Sequence, residues 1–253
     1  MPRRLLDQDR QRERRRQQLL QERISRAGER ILAAEIADTT RALVAKWEAS
    51  GQVRQPDDHQ RRIETQLTRI WRASIDAMAA RVLDQGKSRG VVLERKDRDD
   101  RVDFFTQQFI ASVGGAQIAA DISRTTVDQI MRQIAIGRRE GLGQAAISKM
   151  INDKAAAIGR ARGAVIARTE SHSAGNYGAT KAAEDTGLPM RKEWISAQGE
   201  RTREDHAAVD GQIRPLDAPF DVGGEALMYP GDPSGSAGTV INCRCAIGMI
   251  VQD

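Results

Sequence analysis

Cys243 and Cys245 are the two cysteines of the chain, and one residue of separation is poor geometry for a bridge between them. On an extended strand, residues i and i+2 point to the same face. Should His206 approach that face, three soft or borderline donors surround one point. A tetrahedral zinc site needs that arrangement, with Asp210 or a water completing it. The plainer alternative is a pair of buried thiols, with His206 hydrogen-bonding backbone at the surface. Two cysteines in 253 residues make no disulfide framework. Reduced thiols and metal ligands both fit a reducing cytosol.

A second group is Arg168-Thr169-Glu170 with His172. A helix puts Arg168 and His172 on one face and aims Glu170 elsewhere. Read as chemistry, Glu170 and His172 serve as acid and base beside Arg201 or Arg203, as in a phosphodiesterase or an ADP-ribosyl transferase. Read as structure, Glu170 pairs with an arginine of the tail and ties helix to sheet, because a buried carboxylate needs such a partner. The structural reading is favoured. No Gly-rich phosphate loop, paired catalytic carboxylates or Ser/His/Asp arrangement is present, so an enzyme is not expected.

Charge supplies the third candidate. The net charge is +5, and residues 1–30 carry all of it, with ten arginines against five acids. Arg3, Arg4, Arg10, Arg12, Arg14, Arg15 and Arg16 form the densest part. A basic arm on a neutral body can contact nucleic acid or an acidic protein surface, and arginine without lysine tilts toward phosphate. The bland alternative is a solvated helix rich in Arg, Glu and Gln.

The elements that must position these groups follow from periodicity. Residues 1–48 read as one or two long helices, with an apolar stripe through Ile24, Ile31, Leu32, Ile36, Leu43 and Trp47. After Gly51 and Pro56, a helix repeats Ile63, Leu67, Ile70, Trp71, Ile75, Met78 and Val82. Another carries Phe104, Phe105, Phe109, Ile110 and Val113. Thr125-Thr126-Val127-Asp128 resembles a capping box opening a further helix. The Gly-containing turn at 140–143 leads to a helix with Ile147, Met150 and Ile151. That helix–turn–helix reads as packing more than as a DNA-reading unit, since its second helix starts with few basic or amide side chains. A last long helix runs from about Ala161 to Asp185, with Gly187 as its C-cap. Beyond Pro189 come short β-prone runs, Lys192–Ser196, Gly211–Arg214, Ala226–Tyr229 and Thr239–Val251. The expected class is α+β: a mostly helical N-terminal body with a small C-terminal antiparallel β-containing module. Three segments are expected: a basic helical arm, 1–55, a helical body, 56–188, and the tail module, 189–253. No apolar run approaches the roughly 20 residues that span a bilayer, and the polar start lacks a secretory core, so no membrane role is expected.

The order GRARGAVIARTESHSAGNYGATKAAEDTG, KEWIS, ERTREDHAAVDGQ, APF and MYPGDPSGSAGTVINCRC resembles the phage Mu F-like minor head proteins of the head morphogenesis family, over about residues 115–253. Any one of these motifs alone is weak; ARTE, RTR-x2-H-x3-DG and NCRC together are specific. The resemblance implies a structural minor capsid protein of a tailed phage, prophage or gene transfer particle. Its expected place is the head interior or the portal vicinity of the virion, reached from the host cytoplasm during assembly. Implied partners are the portal protein, scaffold or major capsid protein, and packaged DNA. The helical body is the part expected to dock. The resemblance also implies that Arg168, Glu170, Trp194, Arg201, Arg203, His206, Asp210, Gly211, Asn242, Cys243 and Cys245 form the recurring polar set. Gly199 stands where relatives commonly have an acid, which puts a carboxylate pair with Glu200 in doubt. Some relatives carry a toxin domain after Cys-x-Cys, and none is expected in the eight residues that follow here.

Overall fold

The structure, a computed structural model, describes residues 7–53, 58–87, 90 and 95–252. Arg3, Arg4 and Pro56 lie outside the described residues. Apolar residues at three- and four-residue steps build five long helices. They are α1 (Asp7–Ser50), α2 (His59–Lys87), α3 (Arg95–Val113), α4 (Gly115–Arg139) and α5 (Gln144–Asp185). Past Asp185 come β1 (Met190–Ile195), α6 (Glu204–Ala208), β2 (Ile213–Pro215), β3 (Phe220–Val222), β4 (Glu225–Leu227), α7 (Ala237–Val240) and β5 (Ala246–Val251). The α+β class expected from the sequence is the class observed.

Three local expectations need correction. Thr125-Thr126 does not open a helix, because α4 already runs from Gly115, behind Gly114 in the left-handed region at φ +64°. Both threonine hydroxyls donate back to the Ile122 carbonyl, at 2.9 and 2.8 Å, as hydroxyls do in a helix interior. The helix bearing Ile147 and the one placed from Ala161 are a single element, α5, and Gly159 and Gly163 do not interrupt it. Those glycines lie against α1: a Cβ on Gly159 would stand 2.3 Å from the Ala33 carbonyl oxygen. Close helix approach, and not a break, explains them. Finally, the run Thr239–Val251 is strand only from Ala246. α7 takes its start, and Asn242 at φ +60° turns the chain between. The strand β3 had no sequence signal, three residues being too short for a period to show.

The chain packs as two compact units. One collects Met1–Ser25, Ile70–Ile110 and Arg168–Asp253; the other collects Arg26–Arg69 and Ala111–Ala167. The second unit is purely helical among its described residues. Leu43, Val44 and Trp47 of α1 pack there with Ile130 and Ile134 of α4 and Ile147 and Ile151 of α5. The turn between α4 and α5 thus brings two apolar faces together.

The first unit holds every chemistry-bearing motif of the tail. Its sheet has the order β2-β1-β5, all antiparallel, with Trp194 opposite Ile247 and Glu193 opposite Ile213. A separate hairpin pairs β3 with β4. Rings of Trp71, Phe109, Tyr177 and Tyr229 follow one another at centroid distances of 5.7, 5.1 and 5.9 Å, linking α2, α3 and α5 to the tail. Gly178 lets α5 lie directly on α2, since its Cβ would meet the Ile75 Cα at 2.8 Å.

Candidate functional site: a His-Cys-Cys cluster braced by α5 and α1

The site begins with a turn. Asn242 adopts a left-handed backbone, which asparagine tolerates better than most residues, and two residues of α5 hold it there. The Arg168 guanidinium donates to the Asn242 side-chain oxygen at 2.9 Å, and the Asn242 N–H donates to the Thr169 hydroxyl at 3.1 Å. Two turns further along α5, Asn176 donates to the carbonyls of Pro230 (2.8 Å) and Cys245 (3.2 Å). Buried His172 also hydrogen-bonds the Cys245 backbone. The ARTESHSAGN run is thus a rail that fixes both ends of Asn-Cys-Arg-Cys.

Into this turn comes His206 from α6. Its Nδ1 lies 3.3 Å from the Cys245 Sγ and 3.7 Å from the Cys243 Sγ. All three side chains are buried, and their donor atoms fall within 4.8 Å of one another. Cys245 is drawn down to about 5, first by its hydrogen bond from Cys243, with His206 and the Ala197 backbone adding to it. Cys243 is pushed up because its proton is held by Cys245 and because it is buried. Trp194, fully buried, sets its ring edge-on to the His206 ring at 5.6 Å and to Phe220 at 5.3 Å. The cluster can hold a metal ion. The cysteines precede β5 instead of lying on it, yet the turn at Asn242 brings both sulfurs to one point.

The other residues singled out from the sequence divide by role. Asp210 accepts from the Ser196 N–H at 2.8 Å, and Gly211, at φ +77°, donates its N–H to the Trp194 carbonyl at 2.9 Å. Together they close the loop between β1 and β2. Arg203 donates to the carbonyls of Thr239 and Ile241, steadying the approach to Asn242. Arg201 is exposed. Glu170 does not take the expected tail arginine. It accepts from the Trp71 indole N–H of α2 at 2.9 Å, because its phase on α5 differs from that of Arg168. Burial pushes its carboxyl up to about 7, with the Trp71 bond opposing the shift. His172 is held down to about 3, mainly by burial.

These two shifts make opposed contributions to stability. The folded state binds the Glu170 proton more tightly than the unfolded chain does. Its contribution is complete below pH 4.5 and is lost as pH rises through about 7. His172 contributes fully above pH 6.5 and loses that contribution as pH falls toward about 3. Glu170→Gln is therefore expected to raise stability at about pH 8 by on the order of 1–2 kcal/mol relative to wild type, with the gain shrinking as pH falls and lost below pH 4.5. Urea unfolding across that range measures it. A difference between the two proteins that stays constant with pH would rule out a raised Glu170.

The arginines of α1 split by helix phase. Arg10 and Arg14 face inward with buried Gln17, Gln21 and Ser25. The Arg10 Nε lies 2.6 Å from the fully buried Glu193 carboxylate, and a second Arg10 nitrogen lies 3.3 Å from Asp210. Arg14 donates to the Ser196 carbonyl at 2.9 Å and to Gln198 at 2.8 Å. Arg12, Arg15 and Arg16 are exposed on the other side of the helix, as is Arg23. The arm is therefore two surfaces. Arg10 and Arg14 belong to the module's own ion pairs, and Arg12, Arg15, Arg16 and Arg23 form the outward surface.

Sequence reasoning missed several of these residues. Trp71, Thr169, Asn176 and Glu193 gave no signal, because nothing local marks the partner of a distant group. Lys192 was missed too: fully buried, it donates to the Leu216 and Met228 carbonyls, both at 2.8 Å, and lies 5.4 Å from the Phe220 ring. It bolts β1 to the β3–β4 hairpin.

Comparison with known proteins places these motifs. Residues 128–248 match the family described as Phage Mu protein F like protein. The minor head protein GP7 of Bacillus phage SPP1 is 30% identical over 129 residues, 50% of this chain and 41% of that protein. The NAD(+)--arginine ADP-ribosyltransferase EFV of Enterococcus faecalis is 28% identical over 126 residues, 49% of this chain and 26% of that one. The chain thus spans less than half the length of the curated relatives it matches. No solved structure matches. The rail on α5, the loop of Asp210 and the turn of Asn242 all lie inside the stretch that matches this family.

Proposed function

We propose that this chain is a structural minor head protein of a tailed phage or prophage, acting in head morphogenesis at or near the portal. The observation that carries the reading is that the polar set of the matched segment converges on itself. Arg168 and Thr169 hold Asn242, His206 meets Cys243 and Cys245, and Asp210 closes the β1–β2 loop. Residues engaged in bracing one another suit a rigid assembly module better than a reaction centre. Glu170 and His172 fit the same reading, since one is bonded to Trp71 and the other to the Cys245 backbone. The likeness to the ADP-ribosyltransferase reaches about a quarter of that protein, so a transferase or a zinc-dependent nuclease is the weaker alternative.

In this reading the helical body, 56–188, docks on portal, scaffold or major capsid protein. The protein moves from the host cytoplasm into the virion. Zinc is its cofactor, on His206, Cys243 and Cys245. Deletion of the gene from its phage or prophage is expected to lower infectious yield at least tenfold, with the protein copurifying with portal in wild-type heads. Normal yield from the deletion would refute the reading. Loss of yield rescued by Glu170→Gln but not by a chain with Arg168→Ala would set assembly apart from catalysis.

A second reading rests on one observation, the exposed side of α1 bearing Arg12, Arg15, Arg16 and Arg23. This face would contact packaged DNA through phosphate. Affinity for duplex DNA should then fall steeply with salt, and alanine at these four positions should abolish it. Truncating the arm is the wrong test, because that also removes Arg10 and Arg14 from the module. Salt-insensitive binding would dismiss the idea.

A further inference from the structure

We propose that a zinc ion on His206, Cys243 and Cys245, with water as its fourth ligand, is the clasp that pins the Asn242–Cys245 turn to α6 and so completes the module. This role rests on the zinc reading above and not on head assembly. Zinc binds thiolate sulfur at about 2.3 Å and imidazole nitrogen at about 2.0–2.1 Å, so tetrahedral angles put N and S about 3.5 Å apart. The observed Nδ1–Sγ distances, 3.3 and 3.7 Å, bracket that spacing. The imidazole nitrogen therefore stands at the spacing an ion needs from each sulfur, and all three donor atoms lie within 4.8 Å of one another.

The surroundings also suit an ion. Metal-bound thiolates are steadied by N–H donors around them. Here the Ala197 backbone bonds Cys245, and the Cys245 backbone bonds Cys243. The His206 ring is fixed by Trp194 on its flank, and its Nε2 has no hydrogen-bond partner among the described residues. The ring is therefore oriented by packing, with Nδ1 as its working atom. The segment that the ion would fasten is held ahead of Cys243 by polar contacts from Glu225, Arg203, Arg168 and Thr169, with little apolar burial to support them. From Ser236 to Asn242 every residue is at least partly exposed, Ile241 at 43%. Apolar burial begins only at Ala246–Ile250 of β5. Small segments of this kind gain their fold from metal binding.

Full-length protein purified without a histidine tag is expected to carry about one equivalent of zinc by elemental analysis. Cys243→Ser and His206→Ala should each reduce it at least tenfold. Cobalt added to the wild-type chain after chelation should develop the visible bands of a tetrahedral, thiolate-ligated ion, a readout that needs no variant to fold. Chelation should also speed amide exchange in 236–245 at least tenfold while leaving β1 unchanged. A folded wild-type chain that holds no zinc and develops no cobalt bands would overturn the site. Zinc retained by Cys243→Ser would do the same, and unchanged exchange on chelation would overturn the clasp. Phage infectivity enters none of these measurements, so the head-assembly reading can fail while the site stands.

Discussion

Replacing Arg10 with alanine is expected to destabilise the chain by on the order of 3–5 kcal/mol, as removal of one partner from a buried ion pair generally does. The Glu193 carboxylate is fully buried, and Arg10 approaches it at 2.6 Å while also reaching Asp210. Without that guanidinium, a carboxylate desolvated by β1 and its neighbours loses a cation at contact distance. The attraction is large there because little water screens it. Lysine at position 10 should recover only part of the loss, since it lacks the flat fork that reaches two carboxylates together. Arg15→Ala, on the exposed side of the same helix, should change stability by less than about 0.5 kcal/mol. Urea unfolding of the three variants measures the contrast. Equal effects of Arg10→Ala and Arg15→Ala would mean that the start of α1 is not docked on the module.

Trp194→Ala is expected to be of similar severity, about 3–5 kcal/mol, the range for deleting a large buried aromatic. Trp194 is fully buried and stands between the His206 and Phe220 rings, each edge-on to it. Its removal opens a cavity where α6, the sheet and the β3–β4 hairpin meet. It also releases the His206 ring, whose Nε2 has no hydrogen bond among the described residues to keep it aligned. Trp194→Phe should be much milder, because the indole nitrogen has no hydrogen-bond partner among the described residues. Thermal melts rank the variants, and zinc content of each separates packing from ligation. Should Trp194→Ala melt within about 2 °C of wild type, an effect of no more than about 1 kcal/mol for a domain of this size, the ring would not be the keystone assigned to it.

The arm shows why part of this was legible in the sequence and part was not. Hydrophobic periodicity located α2 and the later part of α1, where Leu43 and Trp47 face a core. It was silent at the start of α1, where the buried face is Arg10, Arg14, Gln17, Gln21 and Ser25. A helix that buries polar groups has the same phase rule as one that buries leucine, but hydropathy cannot register it. Seven arginines therefore read as one basic arm. In the folded protein Arg10 and Arg14 neutralise carboxylates of the tail, and Arg12, Arg15 and Arg16 remain on the outside.

The Cys-x-Cys element teaches the complementary point. The expectation of a shared face rested on strand geometry, whereas the residues lie in a turn ahead of β5. What brings both sulfurs to His206 is the left-handed backbone of Asn242, held by Arg168 and Thr169 from a helix some seventy residues earlier. Glu170 is the same lesson in reverse. Its need for a partner followed from burial alone, but the partner is the Trp71 indole and not an arginine.

Residue types and their spacing by themselves determined the α+β class, the long helices and the membership of the motif set, because those properties repeat locally or follow chain order. Tertiary structure alone decided which groups meet: Arg10 with Glu193, Glu170 with Trp71, and His206 with both cysteines. Each of those pairings joins segments far apart in the chain. Its strength comes from excluded water and fixed approach, and neither exists until the helices and the sheet have closed around it.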